Sequence, residues 1–153
     1  METKESMTEN TILLVEDNPD DEALTVRALK NIKLKNKLVV ARDGAEAVDY
    51  LFAEGKHQGR DINNLPALVL LDLQLPKIDG FGVLKRLRAH KHTKFLPVVI
   101  LTSSAEQEDI LNSYGLGANS YVRKPIDFDE FTTTVAQLGP YWLTTNQKPS
   151  AIA

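Results

Sequence analysis

Ala67-Leu68-Val69-Leu70-Leu71-Asp72 is an unbroken apolar run that stops at a carboxylate. It lacks polar alternation, the pattern of a strand buried on both faces of an all-parallel sheet. Related runs lie on either side. Thr11 to Val15 ends at Glu16-Asp17, Val98-Val99-Ile100-Leu101 ends at Thr102-Ser103-Ser104, and Tyr121-Val122 ends at Arg123-Lys124-Pro125. Parallel strands bring equivalent ends to one sheet edge. Three carboxylates, a hydroxyl and an ammonium are therefore expected together. Such a set suits a divalent cation plus a phosphoryl group, with Asp72 as the nucleophile.

The segments between the runs read as helices and turns. Asn18-Pro19-Asp20 starts a helix to about Asn31, and an aspartate N-cap is expected there, because its carboxylate accepts orphan N–H groups. Leu38 to Ala41 is a second strand, and Ala45 to Phe52 a helix with Ala47, Val48 and Leu51 facing in. A polar connector from Gly55 to Asn64 precedes the central strand. Phe81 to Ala89 and Ala105 to Tyr114 are the next helices, the latter closed by Gly115 and Gly117. Ser120 to Val122 is the fifth strand. Asp127 caps a last helix striped with Phe128, Phe131, Val135, Leu138 and Trp142. The order is βα repeated five times, which predicts an open, doubly wound parallel α/β sheet. Ligands of such sheets sit outside the carboxyl ends of the strands. The expected organisation is a polar tail over 1–10, one domain over 11–143 and a disordered tail over 144–153.

Composition excludes several classes. The 153 residues carry a net charge of −3 with no basic block, which argues against nucleic-acid binding. There is no cysteine, hence no disulfide framework or thiolate chemistry. Neither a signal peptide nor a membrane-spanning run is present, so a cytoplasmic location is expected.

The acidic group has a physical cost. Two like charges about 4 Å apart repel by about 4 kcal/mol at an effective dielectric near 20. Glu16, Asp17 and Asp72 therefore need a cation or shifted pKa values. Oxygen-only ligation favours Mg²⁺. Asp72 would form an aspartyl phosphate, Mg²⁺ and Lys124 would neutralise its oxygens, and Thr102 would donate to one of them. Ser103 keeps that loop small and offers its N–H.

The stretches LLVEDNPDD, LVLLDLQLPKIDG, VVILTSSAE and GANSYVRKP, in this order over Thr11 to Leu143, resemble the receiver domain of two-component response regulators. The resemblance implies the flavodoxin-like strand order 2-1-3-4-5. It implies that Asp72 is the phosphoacceptor, that Asp17, Asp72 and the main-chain carbonyl of Gln74 bind Mg²⁺, and that Glu16 acts through water. It further implies that Lys124 binds phosphate, Thr102 is the switch hydroxyl, Tyr121 is the switch aromatic and Lys124–Pro125 is a cis peptide. ILLVEDNPDD, the connector FAEGKHQGRDINNLP and the aromatic-rich end of the last helix resemble single-domain regulators paired with cyanobacterial and bacterial phytochromes. A histidine kinase, such as a phytochrome, is the implied partner, docking on the first helix and the loop after the fifth strand. The remaining chain is too short for an output domain, so output is expected through protein contact or onward phosphate relay.

Other readings fit less well. A haloacid-dehalogenase-type phosphatase wants a second aspartate where Gln74 stands. A flavodoxin-like cofactor site would be repelled by Glu16-Asp17. A receiver-shaped scaffold that is never phosphorylated would have little use for the acidic set. The chain is thus expected to assist its own phosphorylation and dephosphorylation without being a free-standing enzyme. His57, His90 and His92 are expected at the surface. Tyr141, Trp142 and Leu143 exceed what one helix face needs. A homodimer through the fourth helix, fifth strand and last helix is expected, largely as the resemblance implies, with an exposed apolar end of that helix as the surface it would use.

Overall fold

A computed structural model of the chain describes residues 11–31, 36–124, 127–147 and 149. Five parallel strands, β1 (Ile12–Val15), β2 (Leu38–Ala41), β3 (Leu68–Leu71), β4 (Val98–Thr102) and β5 (Ser120–Arg123), form one sheet in the order β2-β1-β3-β4-β5. Five helices connect and cover them: α1 (Pro19–Asn31), α2 (Gly44–Phe52), α3 (Gly80–Ala89), α4 (Gln107–Gly115) and α5 (Phe128–Pro140). This is the expected doubly wound arrangement. Among the described residues, no helix is long and apolar enough to cross a membrane.

Register brings the strand ends level. Val15 pairs with both Ala41 and Leu71, and Leu71 pairs with Ile100. Side chains alternate between faces. Leu13, Val15, Val69, Leu71, Val98 and Ile100 pack with Val48, Leu51, Val83, Leu84 and Leu87 on one side. Ile12, Leu14, Leu68, Leu70, Val99 and Leu101 pack with Ala28, Leu29, Phe131, Val135 and Trp142 on the other. Continued past the strand ends, this alternation sends Glu16, Asp72 and Lys124 toward the α1–α5 side, where those two helices pack together.

Helix starts follow local chemistry. Asn18, rather than an aspartate, caps α1: its Oδ1 accepts from the N–H groups of Asp20 and Asp21 at 2.9 and 3.1 Å. Pro19 then takes the first helical position, where its missing N–H is harmless. The three acids that follow, Asp20, Asp21 and Glu22, are thereby free of capping duty. Asp43, Asp79 and Asp127 cap α2, α3 and α5, as each carboxylate accepts from a first-turn N–H. Gly80 lets α3 begin against the end of β3, since a Cβ there would lie 2.3 Å from the Asp72 carbonyl oxygen.

Three expectations need correction or extension. His57, His90 and His92 are half-buried. The His57 ring meets Tyr50 edge-on, and the His90 and His92 rings stack beside Phe52. Polar neighbours in sequence concealed these ring contacts. Trp142 is buried in the α1–α5 core and Leu143 is half-buried, leaving Tyr141 as the well-exposed member of that trio. After Pro140 the chain makes a π-helical turn over Tyr141–Thr145, so Thr144 and Thr145 continue regular structure instead of beginning a tail.

A carboxylate pocket closed by one lysine

The carboxyl edge of the sheet gathers the expected groups. The backbone N–H of Asp72 donates to the Val15 carbonyl at 3.1 Å, which sets Asp72 beside Glu16. Glu16, Asp17 and Asp72 each offer an oxygen within 4.8 Å of the others. Glu16 and Asp72 are buried, whereas Asp17 is exposed. Lys124 arrives from β5 on the opposite side of β4, with its N–H bonded to the Thr102 carbonyl at 2.7 Å.

The Lys124 ammonium donates to Glu16 Oε1 at 2.6 Å, Asp72 Oδ2 at 2.9 Å and Asp21 Oδ2 at 2.9 Å. An ammonium has three donors, and each finds a different carboxylate. The second oxygens of Glu16 and Asp72 take backbone donors. Asn18 N–H reaches Glu16 Oε2 at 3.2 Å, and Gln74 N–H reaches Asp72 Oδ1 at 3.3 Å.

Protonation follows from crowding. Burial pushes Glu16 up to about 7, the nearby Asp72 charge adds to this, and the bond from Lys124 opposes it. Burial alone would lower the Lys124 ammonium. The bond to Glu16, the charge of Asp72 and the bonds to Asp21 and Asp72 outweigh it and hold Lys124 above the ordinary lysine value.

Thr102 sits at the end of β4, and its hydroxyl is buried without a hydrogen-bond partner. Buried hydroxyls are normally paired, so this one suits an incoming acceptor oxygen. Ser103 beside it is exposed, as is Gln74, which enters the pocket by its backbone N–H. The Tyr121 ring is half-buried and its hydroxyl donates to the Ser104 carbonyl at 2.9 Å. The expected cis bond involves Pro125, which lies outside the described residues.

The pocket fits a hard divalent cation. Its donors are carboxylate oxygens, clustered more tightly than their charges favour without a cation, and the site has neither sulfur nor imidazole. Asp17, Asp72 and Glu16 are the residues that would hold it.

Two participants were missed in the sequence. Asp21 was not singled out in the sequence, yet it meets a lysine 103 positions away. Its signal was the run of three acids in the first turn of α1, directly after Asn18 and Pro19. Ser104 joins Tyr121 to α4, because its hydroxyl donates to Asp109 Oδ2 at 2.6 Å and accepts from Glu106 N–H at 3.2 Å. A serine just before a helix was a readable capping signal, but its bond to Tyr121 was not.

The family model of the response regulator receiver domain matches residues 12–136. A probable methanogenesis regulatory protein, FilR2 of Methanothrix harundinacea, is 39% identical over 138 residues, covering 90% of this chain and 86% of that protein. Response regulator Rcp1 of Synechocystis sp. is 35% identical over 147 residues, covering 96% and 98%. A crystal structure of the Mn²⁺-bound form of Rcp1 superposes with a TM-score of 0.83, covering 92% of this chain and 99% of that one. The phosphorylated cyanobacterial phytochrome response regulator RcpA superposes with a TM-score of 0.85 at 38% identity, covering 93% and 99%.

Proposed function

The chain belongs to the response regulator receiver family, and from that premise we propose that it is a phosphorylation switch in which Asp72 accepts a phosphoryl group from a histidine kinase. Phosphorylation on aspartate is the family's general mechanism, so the reading concerns which residues perform it here. One observation carries it: the Asp72 carboxylate lies 2.9 Å from the Lys124 ammonium at the strand edge where Glu16 and Asp17 converge.

In the proposed reaction an ionised Asp72 oxygen attacks phosphorus. The new O–P bond forms as the N–P bond to the kinase imidazole breaks, and the bonding pair returns to that nitrogen. No general base is needed for a carboxylate that is already charged. Asp17, Asp72 and the Gln74 carbonyl would hold a divalent cation, with Glu16 acting through water, and the cation would supply charge neutralisation. We assign Mg²⁺, on the oxygen-only ligand set. Lys124 holds a phosphoryl oxygen in place, and Thr102 donates its unpartnered hydroxyl to another. Ser103 offers its backbone N–H. Movement of Thr102 is read by Tyr121 on the adjacent strand and passed to α4.

The likeness to the phytochrome response regulator RcpA supports a phytochrome as the kinase. A second copy of this chain is the proposed output partner, through α4, β5 and α5. Leu111 and Tyr114, 64% and 51% exposed on α4, support that face.

The test is intact-mass analysis after incubation with acetyl phosphate and Mg²⁺. One added phosphoryl group is expected in the wild type and none in Asp72→Asn. No addition in the wild type would favour a receiver-shaped scaffold. Faster transfer from a phytochrome kinase than from unrelated kinases supports the narrower pairing, and equal rates remove it.

A further inference from the structure

We propose that Asp21 is a positioning residue that retains the Lys124 ammonium when a divalent cation draws Asp72, and Glu16 through water, away from it, an inference that rests on the metal-assisted reading above. Lys124 has three carboxylate partners, of unequal standing. Glu16 and Asp72 belong to the group of oxygens that converge within 4.8 Å, together with Asp17. Asp21 stands outside that group, on the first turn of α1, with its side chain 34% exposed. Its contact with Lys124 is nonetheless as short as that of Asp72, at 2.9 Å.

Without a metal, the ammonium serves as the cation that the acidic group requires. A divalent ion seated there would take Asp72 Oδ2, draw Glu16 through its bound water and repel the ammonium. Lys124 is largely buried, its side chain only 9% exposed. A buried ammonium stripped of all partners is strongly disfavoured. Asp21 is the partner that the ion does not claim. It keeps Lys124 at the pocket mouth, within reach of an arriving phosphoryl oxygen, and lowers the cost of metal entry.

The backbone fixes Asp21 for this task. Its N–H is bound to the Asn18 side chain, and its carbonyl accepts from Thr25 Oγ1 at 2.8 Å. Asp20, one residue earlier, carries the same charge and is exposed, and its side chain is in no ion pair with Lys124. Asp20 is therefore a charge-matched control.

Calorimetric titration of the full chain with Mg²⁺ tests the proposal. Asp21→Asn is expected to weaken Mg²⁺ binding about five-fold, the upper range for a partly exposed ion pair. Asp20→Asn should change it less than about two-fold, as expected of a screened surface charge. Asp21→Glu should restore most of the affinity, which a purely structural role at the helix start would not require. Equal effects of Asp20→Asn and Asp21→Asn overturn the proposal. So does tighter binding in Asp21→Asn, because Asp21 would then be locking Lys124 into its metal-free position. Failure of the underlying reading looks different: the wild type would bind no Mg²⁺, or Asp72→Asn would bind it as well as the wild type.

Discussion

The Tyr121 hydroxyl donates to the Ser104 carbonyl at 2.9 Å, which ties β5 to the loop that starts α4. Ser104 also bonds Asp109 in the first turn of α4 through its own hydroxyl. The tyrosine is thus linked to the helix whose face we assign to output.

Tyr121→Phe should keep the ring packing and lose only this bond. Phosphorylation of Asp72 by acetyl phosphate is expected to change less than about two-fold, while stability falls by about 1 kcal/mol. The phosphorylation-dependent shift in sedimentation should weaken. A full shift in Tyr121→Phe would remove the hydroxyl from the relay.

Thr102→Val tests the unpartnered hydroxyl. Valine has nearly the same shape and no polar atom to strand. Without phosphoryl donor, the variant should be more stable than the wild type by about 1 kcal/mol in urea unfolding. Its phosphorylated form should fail to make the switch. Loss of stability in Thr102→Val would mean that the hydroxyl has a partner in the resting protein.

Glu16 gives a pH signature to the metal-free protein. Burial raises it from the ordinary 4.5 to about 7 in the folded chain. The folded state therefore holds this proton more tightly than the unfolded state. Its stabilising contribution is full below the unfolded value and is lost as pH rises through about 7. Lys124 stays charged throughout that range. The urea midpoint in chelator should decline across this window in the wild type and decline less in Glu16→Gln. Equal slopes in the two proteins would exclude Glu16 as the source.

Trp142 and Tyr141 are adjacent, yet they should behave oppositely. Trp142 is 9% exposed and packs in the α1–α5 core, so Trp142→Ala should cost about 3 kcal/mol. Tyr141 is 48% exposed, and Tyr141→Ala should stay within about 0.5 kcal/mol. Urea unfolding followed by circular dichroism separates them.

Leu111 on α4 tests the dimer face. Leu111→Asp places a charge on an exposed apolar position and should abolish self-association in sedimentation, with monomer stability unchanged within about 0.5 kcal/mol. Self-association that survives the change would assign the dimer to another face.

Strand ends were legible because their chemistry is local. Leu68 to Leu71 has no polar residue to present to water on either face, and a strand buried on both sides must lie within a covered parallel sheet. Asp72, Glu16 and Thr102 follow such runs directly, so their meeting at one edge required only the order of elements. Helix starts at Asp43, Asp79 and Asp127 were set within four residues by side chains that accept backbone N–H groups.

The chain's linear order therefore determined the sheet, its covering helices and the edge where reactive groups collect, since apolar periodicity and capping act over a few residues. Tertiary structure alone decided that Lys124 divides its three donors among Glu16, Asp21 and Asp72, partners 108, 103 and 52 positions away. It likewise brought Tyr121 to Ser104. Those outcomes depend on how α1 and α5 pack across the sheet and where β5 ends beside β4, distances that no local pattern records.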